Sequence, residues 1–378
     1  MYTTTATPEK QTTKVVTARL LSLDVMRGII MILLAGEACR LYDSFHDLSE
    51  GTILEGVARQ FSHHPWNGLR FWDLIQPAFM TMAGTAMYLS FIKKQREGVT
   101  WANNFKHIAI RCLKLFICGT GLHCIYAGRL VWELWNVLTQ LSVTTIIAYL
   151  FIRKSPMVQI VASIGLLLLT EVLYRTILVP GFDQPFVEYK NFGAYMDTLF
   201  MGKINNGGWV TINILPTAAH TIWGCVIGWL LVSDKPANQK IKLLLIAGGI
   251  ALLCGFGLDW LLITPIIKRI ATSSFVLASG GWVFLMMAFV YWLVDVKKKN
   301  KYAFIPVVVG MNSIFIYLVF ETAGVQWINK ATGIFVKGFS GMIGTPAVWQ
   351  DLLSALAVLA LYWFLCNWLY KRKIFFKL

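Results

Sequence analysis

The residues best equipped for chemistry lie in one stretch, His63-His64-Pro65-Trp66-Asn67-Gly68-Leu69-Arg70-Phe71-Trp72-Asp73. Imidazole titrates near neutral pH, so a histidine in this setting can take or give a proton on a polar substrate. Asp73 could hold that ring in one tautomer, or could simply cap the helix that follows it. Adjacent His63 and His64 cannot easily share one metal ion. His46, Asp43 and Asp47 are nearby in sequence, yet the set does not add up to a metal site, and none is expected.

Other ionisable residues fall inside apolar stretches, where a charge is costly and therefore a candidate for function. Asp24 and Arg27 are three apart and share a helix face; they either lock helices together or meet a ligand phosphate. Glu37 and Arg40 repeat that spacing roughly 15 Å further along, at 1.5 Å per residue, and the carboxylate there could orient a substrate. Arg111 and Lys114 read as anchors with their stems laid along apolar surface. With Arg27, Lys93 and Lys94 they could instead form a mouth that attracts anions. His220 reads as a buried, hydrogen-bonded core residue, and Asp259 and Asn312 as candidates for a polar interior path.

The elements that must carry these residues are helices crossing a bilayer. The 378 residues are 57% apolar and 14% charged, where a soluble chain carries roughly a quarter charged. The apolar residues come in blocks near the ~20 residues that one crossing helix needs, and only a helix or a closed barrel satisfies its backbone in lipid. The blocks predict an all-α, polytopic integral membrane protein with about ten transmembrane helices, near 22–42, 72–92, 107–126, 134–152, 157–178, 209–232, 241–263, 273–295, 302–320 and 349–370. Residues 329–345 are glycine-rich and short, and read as an interfacial or re-entrant segment.

Lysine and arginine set the orientation. Alternate loops beginning with the N-terminus hold 20 of them, the opposite set 9, which predicts both termini in the cytoplasm and residues 43–71 as an external loop. Residues 1–21 then form a cytoplasmic tail, 22–370 the transmembrane domain, and 371–378 a basic cytoplasmic tail. The net charge of +15 is this bias, and nucleic acid is not an expected partner. The first 20 residues lack an apolar h-region, so no cleavable signal is expected. The seven cysteines form no CxxC pair.

Four motifs, in order, carry a resemblance. Arg19-Leu20-Leu21-Ser22-Leu23-Asp24-Val25-Met26-Arg27-Gly28, then His63-x-x-Trp66-Asn67-Gly68 with Asp73-Leu74-Ile75-x-Pro77, then Ser273-Ser274-Phe275-Val276-Leu277, and last Gly310-Met311-Asn312-Ser313-Ile314 resemble segments of the heparan-α-glucosaminide N-acetyltransferase family. The resemblance implies a transmembrane acyltransferase that moves an acetyl group from cytoplasmic acetyl-CoA to the amino group of a glucosamine-type sugar on the far side. It implies His63 as the catalytic histidine, with His64 outside the matched motif. Where the family has an asparagine after the first apolar run, this chain has Gly36-Glu37-Ala38, and Ala271 replaces a tryptophan before the Ser-Ser-Phe motif.

On that implication His63 and Asp73 form the acid–base pair. Asn67, the Trp66 indole or Asn312 could donate to the oxyanion, and Glu37, Arg40, Trp66, His64 and Asn312 are the substrate-side candidates. Asp24, Arg27, Lys93, Lys94, Arg111 and Lys114 are the candidates for coenzyme A, whose pantetheine arm of roughly 20 Å, the reach of about six extended residues, could thread between helices. The expected partners are acetyl-CoA, an amino-sugar or glycan acceptor, the bilayer and a second copy in a homodimer. The expected setting is the inner (cytoplasmic) membrane of a bacterium. A secondary transporter or flippase for a sugar or glycan stays open as the alternative, since interior charges and a proline-broken span suit one as well.

Overall fold

The computed structural model describes residues 20–376; the predicted N-terminal tail up to Arg19 and the last two residues lie outside the described residues. In the first half the α-helices are α1 (Leu21–Ala38), α2 (Leu41–Ser49), α3 (Glu55–Ala58), α4 (Ile75–Arg96), α5 (Trp101–Ala127), α6 (Val137–Phe151) and α7 (Pro156–Thr176). The second half adds α8 (Phe192–Met201), α9 (Ile214–Val232), α10 (Ala237–Trp260), α11 (Ser273–Tyr291), α12 (Phe304–Gly310), α13 (Ser313–Val319), α14 (Asn329–Met342) and α15 (Ala347–Lys371). No strand is formed among the described residues.

Helix starts follow local chemistry. Thr100, Asn136, Ser155, Asn191 and Thr272 each accept a backbone N–H of the first turn with their side chain, satisfying a donor that has no intrahelical partner. Pro156 follows Ser155 at the first helical position, where its missing N–H costs nothing.

A helix occupies each of the ten predicted places. Six are long and apolar enough to cross a membrane, and a seventh is added if the bent helix pair is one span. The chain is a multi-pass membrane protein. The remaining predicted crossings fall short for local reasons: α6 has 15 residues, and α1 and α4 spend part of their length on the polar and charged side chains of two cavities. Among the six, the stretch Thr211–Val232 containing α9 is 78% buried while α10 is 22% buried, so α9 is central and α10 peripheral. Leu253 on α10, Leu168 on α7 and Phe364 on α15 stand exposed, as lipid-facing residues should.

The predicted span 302–320 is broken. The stretch Phe304–Gly310 and the helical stretch beginning at Ser313 are bent by 76°, with Asn312 at the break. From there the helix continues through a wide turn at Phe320–Ile328 into α14. The segment 329–345, read from its glycines as interfacial or re-entrant, is mostly the helix α14, packed against α15 with a Lys337–Asp351 ion pair.

The α4–α9 crossing is closely packed through glycines. A Cβ on Gly84 would overlap the Thr221 carbonyl, and one on Gly224 the Thr81 carbonyl. Both obstacles are backbone, so neither can rotate away. Gly224→Ala is therefore expected to cost roughly 1–3 kcal/mol by overpacking, although Gly→Ala inside a helix ordinarily helps. Gly249→Ala on α10, where a Cβ meets nothing, is the control. Thermal unfolding in detergent should separate them, with a Tm several degrees lower for Gly224→Ala alone; equal Tm values would contradict the crossing.

Candidate active site

The His63 loop is fixed on three sides. Arg70 donates to the His63 carbonyl at 3.0 Å and to Ser62 Oγ at 2.7 Å. Asp73 Oδ2 accepts the backbone N–H of Arg70 at 2.9 Å and of His64 at 3.3 Å. On the far side the loop pairs with the segment before α11, through Gly68 N–H to the Ile266 carbonyl at 2.8 Å and a bridge between Asn67 and Ile267. Gly68 has φ +146 and a Cβ there would strike the His64 ring, so the turn requires glycine.

This pairing delivers Lys268 to His63. Asp73 Oδ1 lies 3.1 Å from His63 Nδ1 and 3.4 Å from Lys268 Nζ, and Lys268 Nζ is 3.1 Å from the same His63 Nδ1. The Asp73 and Lys268 side chains are 1% and 7% exposed, whereas that of His63 is 39% exposed and opens into a cavity. Trp209 packs edge-on to His63 at 5.9 Å, and Lys268 sits over its ring at 5.5 Å. With Asp73 ionised, Nδ1–H donates to the carboxylate and Nε2 is left as the basic atom. Burial, and after it the charge of Lys268, hold the imidazole below its ordinary pKa in spite of Asp73. Burial also lowers that of Lys268, against the pull of Asp73.

The His63 cavity measures about 330 Å³. Glu37, His123, Lys268 and Glu321 share its lining. Glu37 accepts the Trp72 indole N–H at 3.0 Å and Glu321 the Tyr126 hydroxyl at 2.6 Å. Among the described residues neither carboxylate has a cation within ion-pair distance. His123 Nδ1 is 2.7 Å from Glu133, which also pairs with Lys203, giving a second histidine–carboxylate pair on the same cavity.

A second cavity of about 700 Å³ is lined by Arg27, Lys94, Arg111 and Lys114, with no Asp or Glu in its wall. Phe79 and Tyr317 line both cavities. Lys94 is steadied by Asn104 Oδ1 at 3.0 Å and Arg27 by Ser313 Oγ at 3.0 Å. Asp24 lies beside Arg27 at 4.0 Å, outside the wall. Lys93 is 73% exposed beside Glu97 and does not reach the cavity.

Several predicted residues stand elsewhere. Arg40 cannot share a helix face with Glu37, because α1 ends at Ala38 and Arg40 has φ +64; it pairs with Asp43 at 3.0 Å. The Asn67 side chain is exposed and absent from the cavity wall. The Trp66 indole donates to the Phe186 carbonyl at 2.8 Å, and His64 packs behind Gly68. Asn312 is fully buried but holds the segment after α15: it donates to the Ile374 carbonyl at 3.1 Å and accepts from Phe376 N–H at 3.0 Å. Phe376 stacks on Phe315 at 4.5 Å, and with Phe375 it lines the basic cavity. Lys268 and the amides of Gln76, Asn136, Gln140 and Asn205 are among the donor-bearing side chains that face the His63 cavity, the Gln140 amide already donating to Asn213.

His220 is buried against the Val276 carbonyl and Ser279 Oγ, and Asp259 accepts the Ile266 N–H, so both serve the fold. Lys268, Glu321 and His123 were not singled out by sequence. Each gains meaning only from a partner brought in by the fold. Among the described residues no group of three or more His, Cys, Asp or Glu is placed to hold a metal ion.

No curated protein matches the chain. Residues 19–263, nearly two thirds of the chain, match the family model described as heparan-alpha-glucosaminide N-acetyltransferase, catalytic. The matched region carries His63, Asp73, Glu37 and all four cations of the basic cavity; Lys268, Tyr317 and Glu321 lie beyond it. The chain thus belongs to the heparan-alpha-glucosaminide N-acetyltransferase family.

Proposed function

We propose that the protein takes an acetyl group from acetyl-CoA bound on the cytoplasmic side and places it on an amino group of an amino sugar or glycan bound on the external side. The setting proposed is the cytoplasmic membrane of a bacterium. Both termini lie inside, residues 22–370 form the catalytic domain, and 43–71 the external loop. The observation that carries this reading is the pair of cavities meeting at Phe79 and Tyr317, one basic and one holding His63 with two carboxyl groups that have no ion-pair partner among the described residues.

Coenzyme A carries several phosphate charges, and Arg27, Lys94, Arg111 and Lys114 supply the matching field. The acceptor enters as an ammonium ion, which Glu37 and Glu321 favour in a cavity whose lysine is already paired with Asp73. The ammonium must first lose one proton to expose its lone pair, and the cavity carboxylates can take it. As the N–C bond forms and the C–S bond breaks, His63 Nε2 takes the second proton from nitrogen. The sulfur leaves as thiolate and is protonated on the coenzyme side. Asp73 stabilises the imidazolium, and Lys268 with the facing amides can donate to the carbonyl oxygen.

The test is purified protein given labelled acetyl-CoA and glucosamine. Transfer of label to the amino group is expected, and it should weaken as salt screens the basic cavity. Flux of intact sugar into liposomes without any transfer would replace this reading with a transporter.

A further inference from the structure

We propose that Phe79 and Tyr317 form an acyl gate that restricts the enzyme to short acyl groups. This rests on the acyltransferase reading above and adds the residues that decide which thioesters can react.

Phe79 and Tyr317 are the side chains common to the walls of both cavities, so an acyl group leaving the basic cavity for His63 must pass them. The approach is a lane along α4. Lys94, Ser90, Ala86, Ala83 and Phe79 all line the basic cavity, and their spacing of four, four, three and four residues puts them on one helix face. The lane begins at a cation, continues past three small side chains and ends at a ring. From Lys94 to Phe79 is fifteen residues, about 22 Å at 1.5 Å per residue. A pantetheine arm reaches roughly 20 Å, comparable to about six extended residues. A phosphate group at Lys94 therefore places the thioester beside Phe79, with nothing beyond it but the gate and the His63 cavity.

The two sides of the gate differ in stiffness. Tyr317 is 7% exposed and lies edge-on to Phe320 at 5.3 Å. It also follows the 76° bend, so its position is set by the break in the span. Phe79 is only partly buried, on a helix whose backbone is locked to α9 by Gly84 and Gly224. The helix cannot retreat, and only the Phe79 ring can turn. An acetyl group needs little of that movement, and each added methylene needs more.

The experiment compares acetyl-, propionyl-, butyryl- and hexanoyl-CoA as donors to glucosamine for the wild type, Phe79→Leu and Phe79→Ala, with CoA binding measured alongside. The readout is the butyryl-to-acetyl ratio of kcat/KM, which is unaffected by the fraction of folded enzyme. Wild type should favour acetyl by roughly tenfold or more. The ratio should rise at least about tenfold in Phe79→Ala, with Phe79→Leu between. Acetyl transfer with an unchanged ratio in both variants would remove the gate and leave the acyltransferase standing. Wild type that binds CoA but transfers acetyl to no acceptor would remove the acyltransferase reading and the gate with it.

Discussion

His63→Ala is expected to lower acetyl transfer by roughly 10²–10⁴-fold, the range general-base catalysis supplies, with folding and CoA affinity near wild type. The expectation follows from position. His63 opens into the cavity with its Nδ1 held by Asp73 and the Lys268 ammonium close beside it, and the basic cavity lies on the other side of Phe79 and Tyr317. Removing the ring leaves the coenzyme contacts untouched. His64→Ala should be far milder, because its ring packs behind Gly68 and does not face the acceptor. Labelled acetyl-CoA without acceptor distinguishes direct transfer from an acetyl-imidazole route, since only the latter leaves label on the protein. Direct transfer is expected, because a thioester is already activated. Wild-type turnover by His63→Ala would end this assignment.

Asp73→Asn is expected to do two separable kinds of damage. The amide no longer anchors the productive tautomer, and a comparable substitution behind a catalytic histidine can cost about 10⁴-fold in kcat. It also strips the buried Lys268 of its partner, and breaking a buried ion pair costs roughly 3–5 kcal/mol. Asp73→Asn/Lys268→Met removes the orphaned charge, so it should recover most of the lost Tm while kcat stays low. Recovery of both would make the pair purely structural. Lys268→Met alone supplies a pH signature. A neighbouring cation disfavours protonated imidazole, so Lys268 helps keep the His63 pKa low. Without it the pKa rises, and because the neutral form is the active base, the acid limb of kcat/KM moves to higher pH. An acid limb that stays put, or moves to lower pH, would contradict the contact.

Some of this was legible in the sequence. His63 and Asp73 are ten residues apart within one turn-rich loop, and local composition marked both. Arg27, Lys94, Arg111 and Lys114 were marked by charge at the edges of apolar blocks, and they do share a cavity. What stayed hidden depends on distant parts of the chain. Lys268 meets His63 across 205 residues and Tyr126 meets Glu321 across 195, so nothing near either residue announces the partner. Arg40 misled because spacing implies a shared face only while the helix lasts, and α1 stops first. Hydropathy found a helix at every predicted place, but it responds to apolar length alone. It therefore could not foresee the bend at Asn312, where a buried amide spends its hydrogen bonds on a remote segment.

That amide has a consequence for anyone who purifies or images the protein. Ile374 and Phe376 are held by Asn312, while Phe375 and Phe376 form part of the basic cavity wall. A fluorescent protein or affinity tag fused directly after Leu378 would hang two residues from that wall. Its thermal tumbling would tug on the two hydrogen bonds and the Phe315–Phe376 stack. A long flexible spacer decouples such a load, and a fusion without one would register as weakened coenzyme binding in an otherwise well-behaved preparation.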